Sequence, residues 1–204
     1  MILASTSPRR REILALLGLP FEVIEPDFDE RISADLPIEQ EVLAFAVGKA
    51  RSVAAYHHAS IVVGSDTMIG LDRLKIGKPN DLDDARKILH ALSGKTHRIY
   101  TGVSVLDGES GVNLVEQVLV DMRAYTDGEI DDYLTCGESL DKAGAYSIQG
   151  QGAELISAIR GDYLAAVGLP LRPIADYLTR QSVPYPLDLD ELYSNKSFLN
   201  WQRF

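Results

Sequence analysis

Apolar residues along this chain fall first into short runs and then into helical spacing. Ile2 to Ala4 reads as a short buried strand. Ser7-Pro8 reads as a helix start, with Ser7 as N-cap and Pro8 at the first helical position. Ile13, Leu14, Leu16 and Leu17 give that helix a buried face, and Gly18 stops it. Phe21 to Ile24 is extended and leads into the acidic turn Glu25-Pro26-Asp27-Phe28-Asp29-Glu30. A second helix begins near Pro37 and runs to about His57, with Val42, Leu43, Ala46, Ala50 and Val53 at helical spacing. Ile61-Val62-Val63 is a continuous apolar run that stops at Gly64-Ser65-Asp66-Thr67. A central strand ending in small and polar residues is where open α/β sheets place ligand groups.

Met68 to Lys75 reads as strand and turn, and Asp83 to Leu92 as a helix ended by Ser93-Gly94. Arg98 to Leu106 and Asn113 to Arg123 are β-rich, and the Gly-containing link between them predicts a hairpin. Asp127 to Thr135 reads as a short helix, Asp141 to Gly152 as a polar, Gly-rich loop, Ala153 to Ile159 as a strand, and Leu169 to Thr179 as a closing helix. Val183 to Phe204 looks appended, so residues 1–182 form the expected domain and 183–204 a C-terminal extension. Alternating strands and helices with an inserted hairpin predict an α/β fold, with a central mixed sheet flanked by helices and two lobes with a cleft between them.

Charge changes this picture. The 204 residues carry 30 acidic and 20 basic side chains, a formal charge of −10. That argues against a nucleic-acid binder, which normally carries a basic excess. It does not exclude a small polyanion, because exposed fields fade over a Debye length of about 8 Å and a local cluster of cations suffices. A single cysteine, Cys136, allows no intrachain disulfide and suits a reducing cytoplasm, where the protein is expected. The first residues lack the order of a signal peptide, and no stretch approaches the roughly 20 apolar residues of a membrane span.

Three groups of residues carry candidate chemistry. Ser5-Thr6-Ser7-Pro8-Arg9-Arg10-Arg11 places hydroxyls and guanidinium groups where a strand passes into a helix. Free backbone N–H groups there favour anions, and Arg9 and Arg10 add planar forks for phosphate oxygens. Asp27, Asp29, Glu30 and Asp66 are hard oxygen donors, suited to Mg²⁺ or Mn²⁺ when a bound triphosphate supplies the other ligands. Asp66 follows a buried run, where a charge must be paired or coordinated. The acidic turn taken alone reads as solvated surface. Lys49 is expected on the polar side of its helix, and Lys78 in the stiff loop Ile76-Gly77-Lys78-Pro79; either can neutralise phosphate as a point charge. Gly94-Lys95-Thr96 imitates the end of a P-loop, but Leu89 stands where the first glycine is required. His97 reads as a structural or surface histidine rather than a catalytic one.

Taken in order, these segments resemble the Maf family of nucleoside triphosphate pyrophosphatases. The resemblance runs through Ser5-Thr6-Ser7-Pro8-Arg9-Arg10, Pro26-Asp27-Phe28-Asp29-Glu30, Gly64-Ser65-Asp66-Thr67, Gly77-Lys78-Pro79, Leu92 to His97, Thr101-Gly102-Val103, Asp141 to Gly150 and Val167 to Leu171. It implies hydrolysis of a nucleoside triphosphate to the monophosphate and pyrophosphate, with a divalent cation, commonly in a homodimer. Lys142-Ala143-Gly144-Ala145-Tyr146-Ser147-Ile148-Gln149-Gly150 is similar to the branch acting on dTTP and UTP. By position, Asp66 is implied as proton acceptor and, with Glu30, as metal ligand. Arg9, Thr67 and Gln149 match positions tied to substrate choice, and Ser7, Arg10, Lys49 and Lys78 to substrate binding. Ser65 stands where the family more often has Ala. The alternatives are the same reaction on a modified nucleotide such as 7-methyl-GTP, or a nucleotide-binding regulator of cell-division arrest.

Overall fold

The computed structural model describes residues 1–33, 35–72 and 74–204. Its strands are β1 (Ile2–Ala4), β2 (Glu22–Ile24), β3 (Val62–Leu71), β4 (Leu74–Ile76), β5 (Thr96–Asp107), β6 (Ser110–Met122) and β7 (Ile156–Arg160). They form one seven-stranded sheet in the order β2-β1-β3-β5-β6-β7, with β4 paired to β3. The β1–β2 and β1–β3 pairs are parallel, whereas β3–β4 and β6–β7 are antiparallel. The sheet is therefore mixed, as the alternation of elements predicts. Helices α1 (Pro8–Ala15), α2 (Ile38–Ala54), α3 (Leu82–Leu92), α4 (Asp127–Thr135), α5 (Tyr163–Val167), α6 (Leu171–Arg180) and α7 (Leu189–Asn195) complete the α/β fold.

The chain divides into two compact units. The first comprises Met1–Thr67, Tyr100–Glu116 and Leu164–Ser194; the second comprises Met68–Ile99, Gln117–Tyr163 and Asn195–Phe204. In the first, Ile2, Ala4, Ala50, Val53 and Val62 form a buried cluster that joins α2 to the parallel strands. Burying such aliphatic side chains stabilises each by about 1.5–3 kcal/mol, before entropy is counted.

Two expectations change here. The apolar run Ile61-Val62-Val63 does not end its strand at Gly64: β3 continues to Leu71. Ladder hydrogen bonds and burial on both faces hold small and polar residues in extended form, overriding their turn tendency. The expected strand from Ala153 begins only at Ile156, because Gln151–Leu155 closes into a 3₁₀ turn with Ala153 N–H donating to Gly150 O at 3.2 Å.

The extension is ordered into α7 and a final 3₁₀ turn, Trp201–Arg203. Leu192 and Trp201 are buried. Within the second unit, Trp201 stacks on Tyr163 with centroids 5.3 Å apart and planes 11° from parallel. Among the described residues, no helix is long and apolar enough to cross a membrane.

Candidate active site

The site in the first unit starts from how closely α2 approaches β3. Gly64 lies directly under α2: a Cβ there would meet Ala46 O at 2.4 Å and Ala50 N at 2.7 Å. Only glycine admits the helix backbone at that distance. The approach brings Lys49 onto Asp66, two residues along β3. Lys49 Nζ donates to Asp66 Oδ1 at 2.6 Å and pairs with Glu30 Oε1 at 2.5 Å.

Lys49 is therefore buried, only 6% exposed, and not on a solvated helix face as expected. Its spacing carries the reason. Lys49 is three residues after Ala46 and seven after Val42, so it belongs to the same stripe as the core residues. A lysine on that stripe stays only because two carboxylates meet it.

Asp66 is equally enclosed, at 6% exposure. Burial pushes its carboxyl above the ordinary carboxylate value, while Lys49 and Arg10 pull the other way. Glu30 is half-exposed, so the pair runs from a buried carboxylate to one that reaches solvent. The acidic turn is not merely solvated surface. Phe28 packs edge-on against Phe45 of α2 with centroids 5.7 Å apart, and buried Glu41 accepts the Ser33 N–H. These contacts fasten the segment carrying Glu30 to the helix carrying Lys49. Asp27 and Asp29 remain exposed, and Asp29 pairs with Arg31 at 2.6 Å.

The second half of the site surrounds the start of α1. Ser7 caps the helix as the sequence predicts, its Oγ accepting the Arg10 N–H at 3.5 Å, with Pro8 in the first turn. Arg9 follows in the same turn, half-buried. Arg10 spreads its guanidinium over three acceptors: Gly168 O at 2.9 Å, Ser5 Oγ at 3.4 Å and Thr67 Oγ1 at 3.3 Å. Thr101 Oγ1 donates to Ala165 O at 2.8 Å and lies 3.1 Å from Thr67 Oγ1. With its own proton committed, Thr101 must accept from Thr67, so the Thr67 hydroxyl donates there and accepts from Arg10. Ser65 Oγ lies 2.8 Å from Gly102 O and 3.0 Å from Gly168 O.

Thus Arg10, Glu30, Lys49, Asp66 and Thr67 join into one hydrogen-bonded and charged region of the first unit, beside the α1 N-terminus bearing Ser7 and Arg9. Lys78 and Gln149 belong to the second unit. Lys78 is exposed, next to Gly77, whose carbonyl accepts the Gly144 N–H at 3.1 Å. Gln149 is half-buried between two 3₁₀ turns. His97 is buried, with Nε2 2.8 Å from the Tyr146 hydroxyl. Of the two positions expected of it, structural or surface, it takes the structural one.

Sequence reasoning missed Glu41, Thr101 and Gly168 as supports of the site. Glu41 gave one signal, since it shares the buried stripe of α2 with Phe45 and Lys49. Thr101 and Gly168 fall within segments that carry the family resemblance, but their contacts to Thr67 and Arg10, 34 and 158 positions away, lie beyond any local pattern. Ser65, a departure from the family pattern, has two carbonyl neighbours at its hydroxyl.

The donor set fits a divalent cation in one form only. Glu30 and Asp66 converge on one nitrogen, and each carboxylate has a second oxygen that Lys49 does not hold. Among the described residues, no three His, Cys, Asp or Glu side chains gather into a cage. Two carboxylates without a cage suit a hard cation that takes its remaining ligands from bound phosphates and water.

Known proteins resemble this chain over most of its length. The family model described as Maf-like protein matches residues 1–181. A dTTP/UTP pyrophosphatase of Bacillus cytotoxicus is 46% identical over 170 residues, covering 83% of this chain and 89% of the relative. One from Moorella thermoacetica is 44% identical over 180 residues, covering 87% of this chain and 93% of the relative. One from Bacillus cereus strain G9842 is 43% identical over 171 residues, covering 84% and 90%.

Proposed function

Because the chain belongs to the Maf family, we propose that it hydrolyses nucleoside triphosphates, dTTP and UTP foremost, to the monophosphate and pyrophosphate. The observation that carries this reading is the buried Lys49–Asp66 pair, extended by Glu30 and set beside the capped N-terminus of α1.

Water attacks the α-phosphorus, the bond to the β-phosphate oxygen breaks, and pyrophosphate leaves. Such transfers depend on positioning and charge stabilisation. Asp66 takes the proton of the attacking water, within hydrogen-bond reach of Lys49, which fixes its carboxylate. Glu30 and Asp66 would hold Mg²⁺ or Mn²⁺, which when bound would supply Lewis acidity and charge neutralisation. Ser7 and Arg9, at the α1 N-terminus, bind phosphate oxygens through backbone N–H groups and guanidinium. Arg10 binds the same charge while its three protein contacts hold Thr67 and the Gly168 carbonyl in register. Lys78 adds a point charge. Gln149 presents an amide donor and acceptor, matching the donor and acceptor of a uracil or thymine imide edge. The names of the relatives support dTTP and UTP over 7-methyl-GTP.

The reading includes a cytoplasmic setting and a homodimer. A panel of UTP, dTTP, CTP, GTP and 7-methyl-GTP with Mg²⁺ or Mn²⁺ tests the function. Monophosphate and pyrophosphate should appear in equal amounts, fastest from dTTP and UTP. No monophosphate from any of the five defeats the reading. Light scattering in solution tests the dimer, and a single-chain mass defeats that part.

A further inference from the structure

The C-terminal extension lies outside the residues matched by the family model. Its last ten residues nevertheless belong to the same compact unit as Gln149, and they touch the backbone on both sides of it. Asn200 Nδ2 lies 3.2 Å from Ile148 O and 3.4 Å from Gly150 O. One side-chain amide thus holds the residues before and after Gln149.

The extension is anchored well enough to hold them. Trp201 is buried and stacks on Tyr163, and Phe204 stacks on the same ring with centroids 6.2 Å apart. The Tyr163 hydroxyl donates to Leu199 O at 2.5 Å, and Arg203 pairs with Glu154 at 2.6 Å. Asn200 sits at φ +63°, in the left-handed region where asparagine is among the few tolerated side chains. That backbone turn delivers the amide between its two carbonyls.

The same loop is gripped from its other side. Glu138 accepts N–H groups of Gln151 at 3.1 Å and Gly152 at 3.4 Å. A Cβ on Gly150 would meet both Glu138 carboxylate oxygens at 2.3 Å, so this grip needs a glycine next to Gln149. Gln149, Gly150, Glu138 and Asn200 line one cavity of about 670 Å³.

We propose that Asn200 is a positioning residue for nucleotide selectivity: the extension clamps the Ile148–Gly150 backbone and thereby fixes the Gln149 amide that reads the base. The inference rests on the base-reading role given to Gln149 above. The clamp adds no group to the chemistry, so its loss should move selectivity rather than turnover.

Asn200→Asp replaces the donor by an acceptor with almost no change of shape, and Asn200→Gly keeps the left-handed turn while removing the amide. In both, the ratio of kcat/KM for UTP over GTP should fall about tenfold, through a higher KM for UTP and with kcat on UTP within about twofold. Amide hydrogen exchange at residues 147–152 should quicken in both. Thermal melts establish that each variant is folded, and a purely structural role would lower all nucleotides alike. Gln149→Ala is run beside them. If it collapses the UTP:GTP ratio while both Asn200 variants keep the parent ratio, the clamp is wrong and the base-reading role stands. If Gln149→Ala leaves the ratio unmoved, the base-reading role falls and takes the inference with it.

Discussion

Lys49 in the first unit and His97 in the second are both basic side chains that the fold removes from water. Lys49 is 6% exposed and His97 1%. Lys49 faces two carboxylates, Asp66 and Glu30. His97 faces the Tyr146 hydroxyl, and its Nδ1 has no hydrogen-bond partner among the described residues. Burial pushes its imidazole down to about 4, against the weaker pull of Asp121. The fold therefore answers one buried base with carboxylates and the other with a neutral hydroxyl. Burying charge is expensive, and natural cores avoid it where a neutral group suffices. A charged trio kept beside a helix N-terminus marks where chemistry is done. A neutral histidine on a tyrosine marks packing.

The contrast is open to experiment, and the largest effect belongs to Asp66. Asp66→Asn should lower kcat by roughly a thousandfold, as expected for loss of a positioned base, and should also lower the melting temperature, because buried Lys49 keeps only half-exposed Glu30 as a partner. Pyrophosphate release and a thermal melt read the two quantities, and unaltered turnover would remove Asp66 from the mechanism. Lys49→Met comes next. It leaves a buried carboxylate without its cation and should cost about 3 kcal/mol in urea unfolding. A variant as stable as the parent would mean that the trio is not an interdependent charged unit.

The neutral side of the comparison has a pH signature. Between about 4 and 6.5 the unfolded chain takes up a proton on His97 that the folded chain refuses. Stability from this group is thus complete above its unfolded value and declines as the pH falls toward about 4. The shift corresponds to roughly 3 kcal/mol at most. Urea unfolding at stepped pH should show this slope in the parent and a shallower one in His97→Phe. Glu30→Gln has the smallest effect on stability. Its carboxylate is half-exposed, so the change should stay under about 1 kcal/mol, while activity at limiting metal falls. A titration of activity against Mg²⁺ checks it, and an unchanged metal requirement would take Glu30 out of the ligand set.

Much of this was readable from residues alone, for reasons that are local. Ser7-Pro8 announces α1 because an N-cap hydroxyl and a proline at the first helical position act within one turn. The stripe of Val42, Ala46, Ala50 and Val53 announces α2 because helical periodicity is a property of neighbours. Asp66 stood out because a carboxylate after an apolar run must be answered. Its answer, Lys49, shares the buried stripe, although a lysine's charge taken alone predicts a solvated face. The 3₁₀ turn before β7 was missed because Gly150-Gln151-Gly152 suits several turns equally, and Glu138 settles which forms.

The order of motifs, the −10 charge and the family to which they point are properties of the sequence, because each depends on residue identity and spacing. Only the tertiary structure decided that Gly64 lets α2 descend far enough for Lys49 to meet Asp66. It alone showed Arg10 held by Gly168, and Asn200 of the extension straddling Gln149. Those contacts join residues separated by 17 to 158 positions. Pairings at such separation are fixed by close packing of whole elements, which no local window of sequence contains.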